Sequence, residues 1–204
     1  MANYNYQKNP IIDLDPSLLS TIFEAQTNWH VITGAPCSGK TTIIDLLSKK
    51  GYKIVPEVGR MYVEEEISKG RTLEEIRKNC VAFDYAICEL TLKIESDLQH
   101  KEVLFLDRAF PDSLAFFQQF GLDPNEILPK CFHHHYASVF VLDRFPSIKD
   151  AARIEDDIAA DFLDKQLASN YRALGYAVVR VPAYLPEERC MYILDKLYTQ
   201  GLTA

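Results

Sequence analysis

The sequence predicts an α/β fold in which a five-stranded parallel sheet is covered on both faces by helices. Three observations predict it. Five short apolar runs rich in β-formers recur along the chain, and stretches of helical periodicity separate them. A glycine-punctuated loop, GAPCSGKTT, stands between the first run and the first helix. Short strands alternating with helices make βαβ units, whose right-handed crossovers bury both faces of a parallel sheet.

Taken in order, residues 1–28 carry Pro10 and Pro16 and little apolar periodicity, which predicts a loose N-terminal extension with a short helix near residues 17–25. HVIT (30–33) is the first strand. TTIIDLLSKK (41–50) has helical spacing and stops at Gly51, a natural helix end. YKIV (52–55) is the second strand. Residues 58–69 and 73–99 read as helical. Leu73, Ile76, Cys80, Phe83, Ile87, Leu90 and Ile94 recur at intervals of three and four, so one face is expected to be buried. EVLFLD (102–107) is the third strand. Residues 112–120 and 125–132 are helical in part, broken by Gly121, Pro124 and Pro129. SVFVLD (138–143) is the fourth strand, residues 156–174 form a long helix ending at Gly175, YAVVRVP (176–182) is the fifth strand, and residues 187–198 form the last helix.

Composition bounds the class. A chain of 204 residues with 48% hydrophobic and 25% charged residues reads as a globular protein with one main domain, residues 29–204. The net charge of −7 argues against a dominant nucleic-acid or anionic-membrane surface. No apolar run approaches the roughly 18 residues a membrane span needs. The start of the chain lacks a positive stretch followed by an apolar one, so a secretory signal is not expected. Five cysteines, an odd number without a CxxC pair, read as reduced thiols of a cytoplasmic protein.

Gly34, Gly39, Lys40 and Thr41 match G-x-x-x-x-G-K-[ST], in the strand–loop–helix setting that this motif requires. Glycines let the backbone turn tightly, so that successive N–H groups point into one anion-sized hollow, and the following helix aims its positive end there. The whole stretch Gly34, Ala35, Pro36, Cys37, Ser38, Gly39, Lys40, Thr41 and Thr42 is therefore the expected cradle for the phosphates of ATP. Lys40 supplies a mobile charge for the β- and γ-phosphates, and the Thr41 hydroxyl suits Mg²⁺. Cys37 is either a small filler or a thiol whose oxidation would block the loop.

Ligands of an open parallel sheet bind beyond the carboxyl ends of its strands. Glu57 and Arg60 follow the second strand, Asp107 and Arg108 the third, and Asp143 and Arg144 the fourth, so these groups are expected to converge on one cleft. Asp107 closes an apolar run in the Walker B manner and is the second expected Mg²⁺ ligand. Glu57 is either the general base for an attacking hydroxyl or a helix N-terminal acid facing the helix dipole. Arg60, three residues on, either clamps substrate or pairs with Glu57. Arg108, Arg144 and Arg153 are candidates for neutralising charge on a transferring phosphoryl group, because the guanidinium fork is bidentate and always charged. Residues 144–157 are rich in charge and poor in periodicity; they read as a lid over ATP, or else as a solvated turn. His133, His134 and His135 read as a helix end rich in histidine, and Asp112 as a cap for the helix after Pro111.

GAPCSGKTT, VPEVGRMYVEEE, LFLDRAFPDSLAF, LDRFPSIKDAARIEDD and YRALGYAVVRVP together resemble the small predicted P-loop ATPases described as an AAA-type domain. That group is similar to the nicotinamide riboside kinase domain of bacterial NAD regulators. The resemblance spans about residues 29–198. Its more family-like parts are E-x-x-R at Glu57 and Arg60, D-R at Asp107 and Arg108, and R-x-E-D at Arg153. It implies a kinase-like P-loop NTPase fold with strand order 2-3-1-4-5, binding ATP and Mg²⁺. The third strand closes LFLDR without the second acid expected of an ATP-hydrolysing Walker B. No N-K-x-D follows the fourth strand, which argues against a guanine reader. The expected function is an ATP- and Mg²⁺-dependent phosphotransferase acting on a nucleoside-like or nucleotide-like hydroxylated metabolite. The alternatives are a P-loop ATPase or nucleotide-dependent switch acting on a protein partner, and a non-catalytic binding module.

Overall fold

The computed structural model describes residues 11–145 and 154–199. Five strands form one parallel sheet: β1 (Trp29–Thr33), β2 (Lys53–Val55), β3 (Leu104–Asp107), β4 (Ser138–Leu142) and β5 (Val178–Val181). Their order is β2-β3-β1-β4-β5, which is the order 2-3-1-4-5 expected above. Seven α-helices connect and follow them among the described residues: α1 (Lys40–Lys49), α2 (Val58–Ser68), α3 (Leu73–Arg77), α4 (Cys80–Asp97), α5 (Asp112–Gln119), α6 (Ile154–Ala173) and α7 (Pro186–Thr199).

Side chains alternate across a strand, so each strand feeds two cores. Trp29, Val31, Leu104, Leu106, Val139 and Val141 pack with Leu114 and Phe117 of α5 and Ala168 and Tyr171 of α6. Ile32, Phe105, Phe140 and Leu142 pack on the other side with Ile43 and Leu47 of α1 and Cys190, Ile193 and Leu197 of α7. A third, small cluster joins Ala35 of the glycine loop to Ala115 of α5 and to Ala160, Leu163 and Leu167 of α6. The loop is thereby seated on two helices as well as on its own strand.

Three local expectations differ from the structure. The predicted helix over 73–99 is two helices, because the Asn79 side chain accepts from the Ala82 N–H (3.0 Å) and starts α4 afresh. Leu73 is 45% exposed, and the most buried positions of α4 are Cys88, Thr91 and Glu95. Phe83 and Ile87 face a cavity instead of the core, which is why their spacing reads as a buried stripe. The described part of the N-terminal extension holds only a three-residue 3₁₀ turn, Leu18–Ser20, and is tied down. Leu14, Leu18, Leu19 and Phe23 pack against the first core, Gln118 donates to the Ile12 carbonyl (3.0 Å), and Ala25–Gln26 pairs with His134–His135 as a two-residue ladder. His133 does close a helix, the 3₁₀ turn Leu128–Phe132, but His134 and His135 are strand residues, and His134 lies against Trp29 (ring centroids 4.8 Å).

Candidate active site

The loop between β1 and α1 has the backbone its glycines predict. Gly34 (φ 150°) and Gly39 (φ 83°) occupy conformations that side-chain-bearing residues rarely adopt. A Cβ on Gly34 would lie 2.8 Å from the Leu142 carbonyl oxygen and 2.9 Å from Ser38 Oγ, so the close packing of loop on β4 also demands glycine. Cys37 takes φ 62° and is exposed, while Ala35 and Ser38 are fully buried. Lys40 folds back on the loop and donates to the carbonyls of Gly34 (3.0 Å) and Ala35 (3.4 Å). Burial, aided by the Arg108 charge, lowers the Lys40 pKa to about 8 against the pull of Asp107, Glu57 and Asp112. Thr41 and Thr42 are exposed at the start of α1, and Arg60 of α2 reaches the Thr41 hydroxyl at 3.5 Å.

Parallel register between β1 and β3 sets Ile32 beside Asp107, so the end of β3 lies against the base of the loop. Arg108, the next residue, has φ 71°, an unfavourable value for a residue with a Cβ. The strain is offset by what its guanidinium holds together. Nε donates to Glu57 Oε1 (3.1 Å), one terminal nitrogen donates to Asp112 Oδ1 (3.1 Å), and the other donates to the Gly34 carbonyl (3.1 Å). The Phe116 ring lies 5.2 Å from its carbon centre. Asp112 is itself 2% exposed and accepts from Thr33, Arg108, the Ala109 N–H (3.2 Å) and Tyr171 (2.6 Å). Burial draws the Arg108 pKa down, but the Asp112, Glu57 and Asp107 carboxylates outweigh it and hold it above the ordinary arginine value. The sequence makes Arg108 a candidate for neutralising charge on a transferring phosphoryl group. The structure instead engages all three of its nitrogens in holding Glu57, the loop and α5 in register.

A second arginine, not flagged by the sequence, holds the far side of the loop. Arg189 of α7 is 1% exposed and donates to the carbonyls of Ser38 (2.6 Å), Pro182 (2.7 Å), Val181 (3.2 Å) and Asp143. Phe145 covers it at 4.9 Å. In sequence Arg189 is one charge among several on an amphipathic helix; its role needs the ends of β4, β5 and the loop to meet.

Arg144 does not join the cleft. It is held by Asp157 (2.6 Å) and Asp161 of α6, while Asp143 pairs with Arg180. Both of its terminal nitrogens are thus engaged on α6, away from the part in cofactor binding expected of it. Arg153 lies outside the described residues, as does most of the expected lid.

Glu57, Arg60, Asp107 and Arg108 do converge, on a cavity of about 340 Å³ beside the loop. Val58, Val63, Phe83, Ile87 and Phe116 supply its apolar walls, and Asp84, Asp112 and Thr91 add polar groups. Glu57 stands at the N-cap of α2 without making a capping hydrogen bond, so its side chain is turned to Arg108 and the cavity. Asp107 is 5% exposed, and among the described residues its Oδ1 has no hydrogen-bond partner. Burial and the nearby Glu57 raise its pKa to about 6, against Lys40 and Arg108. An orphaned buried carboxylate oxygen next to a phosphate cradle fits Mg²⁺, which is usually held by one or two carboxylates together with substrate phosphates. The glycine cradle likewise fits the phosphates of ATP.

Burial raises the Asp84 pKa from 3.8 to about 7. The folded state therefore holds more protons than the unfolded state between these values, and stability falls as pH rises through that window. Above about pH 7 the full cost is present. Asp84→Asn should stabilise the ligand-free protein by about 2–4 kcal/mol near pH 8, and by little near pH 4, in thermal melts across that range. An equal gain at both pH values would show that charge burial is not the cause.

A family model described as an AAA domain matches residues 29–189. No protein of curated function matches the sequence. Solved structures share the fold. Deoxyadenosine kinase from M. mycoides with bound dATP has a TM-score of 0.59 at 17% identity, covering 83% of this chain and 99% of that one. Shikimate kinase from Aquifex aeolicus has a TM-score of 0.50 at 19% identity, with coverage of 86% and 99%. A NadR protein in complex with NR has a TM-score of 0.58 at 15% identity, covering 85% of this chain and 50% of that one.

Proposed function

The chain belongs to the AAA-domain family of P-loop proteins, and on that premise we propose that it is an ATP- and Mg²⁺-dependent kinase that phosphorylates a hydroxyl of a small, nucleoside-like or nucleotide-like metabolite. The observation that carries this reading is the cavity itself: a compact, partly apolar space of about 340 Å³ opens beside the phosphate loop, with Glu57 and Asp107 on its wall. That volume lies at the small end of the range for small-molecule sites. The kinases named among the similar folds lend it support at the level of architecture. Residues 29–204 form the kinase-like domain in this reading, and residues 1–28 an extension to it.

The cradle of residues 34–42 holds the phosphates through backbone N–H groups and the α1 N-terminus. Lys40 exchanges the loop carbonyls for phosphate oxygens, whose negative charge offsets the burial of its ammonium. Thr41 and Asp107 would hold Mg²⁺, which when bound neutralises charge shared between the β- and γ-phosphates. Glu57 accepts the proton of the acceptor hydroxyl as the oxygen attacks. Arg108 aims Glu57, since it donates to Oε1 and leaves the second carboxylate oxygen for the hydroxyl. Arg60 (54% exposed side chain) lies 3.9 Å from Glu57 and is free to turn to the acceptor.

The test is ADP release by purified protein with ATP and Mg²⁺, alone and then with a panel of nucleosides and hydroxylated metabolites. ADP formed only with an acceptor, together with its phosphorylated product, is the expected result. ADP formed equally without any acceptor would replace the kinase with an ATPase or nucleotide-dependent switch.

A further inference from the structure

One group in the cavity is unused by the phosphoryl-transfer chemistry. Asp84 sits on α4, on a different element from Glu57 and Asp107, and lines the same space. Its Oδ2 is buried and, among the described residues, has no hydrogen-bond partner. The other acids of this wall are accounted for differently: Glu57 pairs with Arg108, Asp112 accepts from four donors, and the unpartnered Asp107 Oδ1 lies next to the phosphate cradle, where it suits Mg²⁺. Arg77, on the same lining, does not satisfy this oxygen. A buried carboxyl oxygen left without a donor raises the free energy of the empty protein, and a ligand that brings the donor relieves it. Phe83, Phe116 and Ile87 line the same cavity. Aromatic lining together with an unmet acceptor that the Mg²⁺ site does not use describes a site for a flat ring that carries a hydrogen-bond donor on its edge.

We propose that Asp84 is the specificity-determining residue of the acceptor site, and that the acceptor is an amino-substituted heteroaromatic nucleoside whose exocyclic N–H donates to the Asp84 carboxyl while its sugar hydroxyl meets Glu57. This rests on the kinase reading of the same cavity. A carboxyl oxygen accepts in either protonation state, so the requirement for an N–H donor does not depend on the charge of Asp84. A site that demands one donor discriminates strongly against an analogue lacking it, because the buried acceptor is then left unpaired again.

Equilibrium binding by calorimetry tests the proposal without requiring turnover. Nucleosides are compared in pairs that differ only by the amino group: adenosine with purine riboside, cytidine with its 4-deamino analogue, and guanosine with inosine. The wild type should bind the amino member of at least one pair tenfold or more tightly than its partner. Asp84→Ala should bind the two members of that pair within about twofold of each other. Asp84→Asn keeps a carbonyl acceptor in place and should retain part of the preference, which covers the case in which the alanine variant fails to fold. Equal binding within every pair, no binding of any pair, or a preference unchanged in both variants would overturn the proposal. ADP release measured with the same compounds separates the two readings. Discrimination by binding without phosphorylation would leave the Asp84 site standing and remove the kinase. Phosphorylation of a ringless hydroxyl compound, unaffected by Asp84→Ala, would do the reverse.

Discussion

Glu57→Gln is expected to lower phosphoryl transfer by about 10²–10⁴-fold, the range a positioned general base contributes, while ATP affinity stays within about twofold. The separation follows from the geometry. Glu57 lies on the cavity wall after β2, whereas the phosphate cradle is built from residues 34–42. The amide oxygen of glutamine can still accept from Arg108 Nε, so the contact that seats the side chain (3.1 Å) survives the change. The capacity to take a proton is lost, together with the charge that pairs with Arg108 and Arg60. Turnover with the identified acceptor and nucleotide binding by fluorescence or calorimetry should therefore separate in this variant. Unchanged turnover would remove Glu57 as the base and leave it as a structural partner of Arg108.

Arg108→Ala should be the most damaging single change to the scaffold. It removes one partner of a buried ion pair with Asp112 (side chains 13% and 3% exposed) and leaves that carboxylate uncompensated. Breaking such a pair costs about 3–5 kcal/mol, or roughly 6–20 °C in melting temperature for a chain of this length. Adding Asp112→Asn to the same protein should recover a substantial part of the loss, because it removes the stranded charge while its one amide oxygen still accepts from Tyr171 and the Ala109 N–H and its NH₂ can donate to the Thr33 hydroxyl. If the double variant melts no higher than the single one, the damage arises instead from release of Gly34 and Glu57. Arg108→Lys should fall nearer the alanine variant than the wild type, since an ammonium cannot span the donors' three separate acceptors with a planar fork.

The fold and the phosphate loop were legible because both are written in short-range patterns. Strand and helix periods are set by neighbouring residues, and the cradle depends on backbone angles at Gly34 and Gly39, six residues apart at most from its lysine. Glu57 and Asp107 were legible because parallel strands deliver their C-terminal residues to one edge. The same rule misplaced Arg144, whose charge is taken up by two carboxylates of α6 that no strand-end argument includes.

What only the tertiary structure decided are the partners of long side chains. Arg189 reaches the Ser38 carbonyl across 151 positions of sequence, Arg108 reaches Glu57 across 51, and Tyr171 reaches Asp112 across 59. A lone arginine or aspartate in a sequence carries no sign of which distant carbonyl or carboxylate will meet it. Asp84 is the clearest case. Its helical spacing beside Phe83 marks it as a polar residue at the border of an apolar stripe, and only the packing of α2, α4 and α5 around an empty space turns that border into the wall of a binding site. Local pattern determines which elements form; the closing of those elements on one another determines which polar atoms are left without a partner, and those atoms are where a ligand is recognised.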